Sequence, residues 1–161
     1  MQKTILLLMD IGGTMDPYRE IMTTIFSAAV KMNFFKQFQY FYFHNCVYDY
    51  LYEDPLELRY ILTRNLLKEI DKDYRIIFIG DAFMGADELL TPGGIIDDSY
   101  YNQTAGIEFL ELFKEKCEKS VWLNPDISTG ERSPTQKIIA GIFPMFDLTL
   151  EGIESAINFL K

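Results

Sequence analysis

The sequence predicts an α/β fold: a doubly wound, mostly parallel six-stranded sheet, with one antiparallel edge strand and helices on both faces. Three observations carry that expectation. Apolar, strand-like runs alternate with segments of helical periodicity along the whole chain. The run Phe38 to Phe43 is bulky and aromatic on both faces, as in a strand of a buried sheet. The connection at His44-Asn45 is too short for a crossover, so the strands on either side of it run antiparallel.

The elements follow in order. Thr4 to Met9 ends in Asp10-Ile11-Gly12-Gly13-Thr14, a turn suited to glycine. Asp16-Pro17 reads as a helix N-cap and first position, and Tyr18, Ile21, Ile25, Ala29 and Met32 continue at helical spacing. Phe38 to Phe43 and Val47 to Tyr52 are the two strands of the hairpin. Pro55 to Ile70 reads as a helix with Leu58, Leu62, Leu66 and Ile70 on one stripe. Tyr74 to Ile79 is a strand that ends at Gly80-Asp81, and Thr91-Pro92-Gly93-Gly94 is a loop. Ile107, Leu110, Phe113 and Cys117 mark a helix, and Ser120 to Leu123 is a strand running into Asn124-Pro125. An exposed loop over Asp126 to Ser133 leads to a helix over Pro134 to Ile142. A strand over Met145 to Leu148 precedes a last helix that starts at Thr149 and buries Ile153, Ala156, Ile157 and Leu160.

Composition sets the outer bounds. A chain of 161 residues, 48% hydrophobic and 24% charged, is expected to be one globular domain over residues 1–161. Twenty-four acids against fifteen bases give a net charge of -9 with no basic run, which argues against nucleic acid and anionic membrane surfaces as partners. The single histidine, His44, excludes mechanisms that need two. Cys46 and Cys117 lack metal-ligand spacing and read as reduced thiols in a cytoplasmic protein. No segment approaches the roughly 20 apolar residues of a membrane span.

The chemistry concentrates in two turns. Asp10, Thr14 and Asp81 are hard oxygen donors expected at the carboxyl ends of neighbouring strands, where open α/β sheets bind ligands. Such donors suit magnesium, which takes about six oxygens and often keeps several waters. The plainer alternative is that both aspartates only cap the turns that follow them.

The Asp10-Ile11-Gly12-Gly13-Thr14 turn resembles the Asp-x-Ser-x-Ser turn of von Willebrand factor A domains, with Gly12 in place of the first serine. The likeness is closer still to the bacterial CoxE-like subgroup, over Met9 to Tyr18, Tyr40 to Val47, Tyr74 to Met84, Val121 to Pro125 and Leu148 to Gly152. The resemblance implies one complete domain with a metal-ion-dependent adhesion site. A divalent cation, usually magnesium, would be held by Asp10 and Thr14 from the first loop, with Gly12 and Gly13 shaping its backbone. Thr63 would serve from the second loop and Asp81 from the third. It implies a non-catalytic interaction domain whose metal takes an Asp or Glu from a protein partner. It also implies work beside a MoxR-type AAA+ ATPase in protein assembly or maturation. The missing hydroxyl at Gly12 calls for a water or another ligand in its place.

The alternative reading is a haloacid-dehalogenase-like, magnesium-dependent phosphatase, with Asp10 as nucleophile and Asp81 on the metal. Its general acid would fall at Gly12, which has no side chain. An actin-like sugar kinase shares the glycine turn but would continue into a hairpin, whereas Asp16-Pro17 opens a helix. His44 and Cys46 alone make no closed zinc site, and the aromatics of Phe34 to Phe43 lack the basic groove of a base-stacking platform. Ser128, Thr129 and Ser133 have no base placed to activate them.

Overall fold

The central strand forms where the sequence is most continuously apolar. In a computed structural model that describes residues 3–12, 16–17, 20–21, 23, 35–94, 100, 102–126 and 130–161, this is β1 (Lys3–Asp10). Ile5, Leu6, Leu7 and Leu8 are each fully buried. Successive side chains of a strand point to opposite faces, so one run feeds two cores. Leu6 and Leu8 join Ile76, Phe78 and Trp122 on one face, while Ile5, Leu7 and Met9 join Ile77, Ile79, Val121 and Leu123 on the other. Each such aliphatic side chain contributes about 1.5–3 kcal/mol when fully buried.

The remaining strands are β2 (Phe35–Phe43), β3 (Tyr50–Tyr52), β4 (Tyr60–Leu62), β5 (Tyr74–Ile79), β6 (Ser120–Asn124) and β7 (Met145–Asp147). They form one mixed sheet in the order β4-β3-β2-β1-β5-β6-β7. β1 pairs in parallel with both β2 and β5, and β5-β6 and β6-β7 are parallel too. β3 is antiparallel to β2 and to β4.

Five helices are described: α1 (Thr63–Glu69), α2 (Ala86–Leu90), α3 (Gly106–Lys116), α4 (Pro134–Ile142) and α5 (Leu150–Leu160). Leu66, Leu67, Leu89, Phe109, Leu110, Phe113 and Ile139 bring the first four to the core beside Phe78 and Trp122. Ala156 and Leu160 bring α5 to the opposite core. Capping fixes two of the starts. Ser133 Oγ accepts from Gln136 N at the head of α4, and Thr149 Oγ1 accepts from Gly152 N at the head of α5.

Three expectations need correction. The sheet has seven strands, not six. The extra one is β4, which replaces the first half of the helix expected over Pro55 to Ile70. Leu58 and Leu62 recur at helical spacing, yet they are exposed at 75% and 44%, so their spacing carries no buried face. Only Thr63–Glu69 is helical there. The antiparallel strand, β3, therefore lies one place in from the edge, and β4 takes the edge. The helix expected after Asp16 falls largely outside the described residues, as do Ser128 and Thr129.

Candidate metal centre

Parallel pairing brings the carboxyl ends of β1 and β5 side by side. Met9 stands opposite Ile79, so Asp10 and the Gly80-Asp81 turn leave the sheet together. Asp10 is 1% exposed and Asp81 is 8% exposed. Gly80 makes the close approach feasible, because a Cβ there would sit 3.0 Å from the Asp10 Cβ and 3.5 Å from its Oδ2.

One oxygen of Asp10 ties two loops together. Its Oδ1 accepts from Gly12 N at 2.7 Å and from Asn45 N at 2.9 Å. Asn45 has φ 60° in a tight turn closed by Cys46 N donating to His44 O at 2.7 Å. Asparagine tolerates this left-handed backbone better than most residues. A Cβ placed on Gly12 would run into the Asn45 Oδ1. The amide oxygen of Asn45 therefore occupies the space of the side chain that residue 12 lacks.

The second oxygen of Asp10 accepts no hydrogen bond among the described residues. Burial pushes the Asp10 carboxyl up to about 7, against the pull of the Gly12 and Asn45 amides, and the nearby charges of Asp81 and Glu88 push it further. Glu88, on the short helix α2, is 2% exposed. Its Oε1 accepts from Tyr48 Oη at 2.6 Å and its Oε2 accepts from Gly85 N at 3.0 Å. Burial and that bond to Glu88 drive the Tyr48 phenol far above its ordinary range. Burial does the same to the Cys46 thiol, which is not a reactive thiolate.

A net of side-chain donors holds the Asp81 loop. Trp122 Nε1 donates to Gly80 O at 2.8 Å. Asn124 Nδ2 and Gln136 Nε2 both donate to Asp81 O, at 3.0 and 2.9 Å. Thr135 Oγ1 shares its proton between Ala82 O and Met84 O. Asp81 Oδ1 accepts from Phe83 N at 3.0 Å across Ala82, whose φ is 54°. The strained residue and its supports fix where the carboxylate sits.

Thr63 is the first residue of α1, a helix start. It is fully buried, and its Oγ1 donates to Tyr48 O at 2.6 Å. Through Tyr48 it joins the Glu88 network and not Asp10 directly. Gly13 and Thr14 lie outside the described residues.

The donor chemistry fits a hard cation. The two carboxylates and the Asn45 amide oxygen are oxygen donors, and the charges of Asp81 and Glu88 acting on Asp10 are negative. Among the described residues no three His, Cys, Asp or Glu side chains cluster tightly enough to hold an ion by themselves. Asn45 and Glu88 were missed at sequence level. An Asn in a tight turn after a strand was the available signal for the first, and the second lay in a helix too short for periodicity.

Comparisons with protein-family models, with curated proteins and with solved structures returned no match. No described helix is long and apolar enough to cross a membrane.

Proposed function

We propose that this chain is a non-catalytic protein-interaction domain of the von Willebrand factor A type, close to the CoxE-like subgroup, with a doubly wound sheet. A magnesium ion at the end of β1 takes an Asp or Glu side chain from a partner. The observation that supports this most is Asp10, a buried carboxylate with one oxygen saturated by two amides and the other without a hydrogen bond among the described residues.

In this reading Asp10 Oδ2 is the anchoring ligand and Thr14 supplies a hydroxyl. Asp81 acts directly or through water, and Thr63 gives its proton to Tyr48 O while its lone pairs serve the ion. Asn45 offers a neutral oxygen where Gly12 has none. A cation with few anionic ligands stays electrophilic, and a partner carboxylate completes its shell. No nucleophile, acid or base is required. The phosphatase alternative loses ground because residue 12, where its general acid would fall, has no side chain. A MoxR-type AAA+ ATPase in a cytoplasmic assembly or maturation pathway is the partner class we propose.

Magnesium titration followed by thermal melting tests the reading. The wild type should gain stability with added Mg2+ and Asp10→Asn should gain none. Equal gains in both proteins would sink it.

A further inference from the structure

A second surface, away from Asp10, carries its own charge logic. The helices α1 and α3 flank a groove of about 210 Å3 lined by Arg64, Leu67, Lys68, Leu112 and Lys116. Arg64 and Lys68 are one helical turn apart on α1, and Leu112 and Lys116 are one turn apart on α3. The result is an apolar floor between cationic rims, with no carboxylate among the lining residues.

These three cations gather at one groove in a chain with nine more acids than bases. None of them has an ion pair among the described residues, where the pairs are Lys3–Asp73, Arg59–Glu53 and Lys137–Glu131. Arg64 is held by neutral groups alone. Its Nη2 donates to Thr104 Oγ1 at 3.1 Å, and its guanidinium lies 5.3 Å from the centre of the Phe109 ring. Lys68 and Lys116 are exposed.

We propose that the α1–α3 groove docks a short acidic, amphipathic segment of a protein partner. Its carboxylates meet Arg64, Lys68 and Lys116, and an apolar side chain rests between Leu67 and Leu112. Complementary charge favours this occupant. An extended phosphate backbone fits less well, because the exposed Glu69, Glu108, Glu111 and Glu115 of the same helices would repel it beyond the groove. The surface shares no residue with the metal centre and does not depend on it.

The test is fluorescence anisotropy with a short fluorescein-labelled peptide of glutamate and leucine, in EDTA, beside a control with glutamine for glutamate. The glutamate peptide should bind, weaken as salt rises, and lose about tenfold or more in affinity to the double variant Lys68→Glu, Lys116→Glu. Asp10→Asn should bind it as the wild type does. Four results would overturn the proposal: no binding, equal binding of the glutamine peptide, an unaffected double variant, or tighter binding of a single-stranded RNA. Self-association of the wild type that the double variant abolishes would make a second copy the occupant instead.

Discussion

The amide oxygen of Asn45 fills the space in which a side chain on Gly12 would begin, and the backbone amides of both residues donate to the same Asp10 oxygen. The two loops are thus fitted around one carboxylate, and a side chain on residue 12 would have to displace the Asn45 amide. Gly12→Ser, which restores a hydroxyl, should lose about 1–3 kcal/mol through overpacking. Asn45→Gly removes the obstruction and accepts the positive φ, so the double variant should recover much of that loss. Urea denaturation of the four proteins measures the coupling, expected at about 0.5–3 kcal/mol. A Gly12→Ser protein as stable as the wild type would show that the Asn45 side chain turns aside without cost.

Asp10 gives the metal-free protein a definite pH dependence. Its carboxyl is raised from 3.8 to about 7 by burial first. A raised acid binds more protons in the folded state between those two values, so stability falls as pH climbs from about 4 to about 7 and then levels. The full penalty is on the order of 4 kcal/mol. Asp10→Asn removes the ionisation, so in EDTA it should melt higher than the wild type at pH 8 and close to it at pH 4. A cation competes with the same proton, so magnesium affinity of the wild type should rise with pH across neutrality. A variant that melts lower at both pH values would show that the carboxylate is internally compensated.

The centre of this fold was legible and its margin was not. β1, β5 and β6 each carry an unbroken apolar stretch (Ile5–Met9, Ile76–Ile79 and Val121–Leu123) because both faces are covered. β4 was hidden by its exposure. Leu56, Leu58, Tyr60 and Leu62 look like core residues, but all of them face water to a large extent, so their spacing mimicked a helix. The site divides in the same way. Asp10 and Asp81 stand out as charges that close apolar runs. Asn45 reaches Asp10 only through the pairing of β2 with β1, which no local pattern encodes. Trp122 is read simply as core until its Nε1 is found on Gly80 O.

Gly152 reverses an ordinary helix rule. Alanine in place of an exposed helical glycine usually stabilises by about 1 kcal/mol. Gly152 lies in the first turn of α5, where a Cβ would overlap the Asp147 carbonyl, a backbone group that cannot swing away. Its own amide donates to Thr149 Oγ1 in the cap. Gly152→Ala should therefore lower the melting temperature and separate α5 from β7. A melting temperature at or above that of the wild type would mean that the helix start shifts to make room.

Trp122 couples the core to the Asp81 loop. Its ring stacks on Phe78 at 5.1 Å, and its Nε1 donates to Gly80 O, one residue before Asp81. Trp122→Phe keeps an aromatic ring against Phe78 but leaves that buried carbonyl without its donor, at about 1–3 kcal/mol. Part of the loss should appear at the site, because Gly80 also sets the clearance around Asp10 Oδ2. Melting in EDTA measures the first effect, and the magnesium-dependent gain in melting temperature measures the second. Both should fall relative to the wild type. A variant that loses stability but keeps the full magnesium gain would place the support of Asp81 on Asn124 and Gln136 alone.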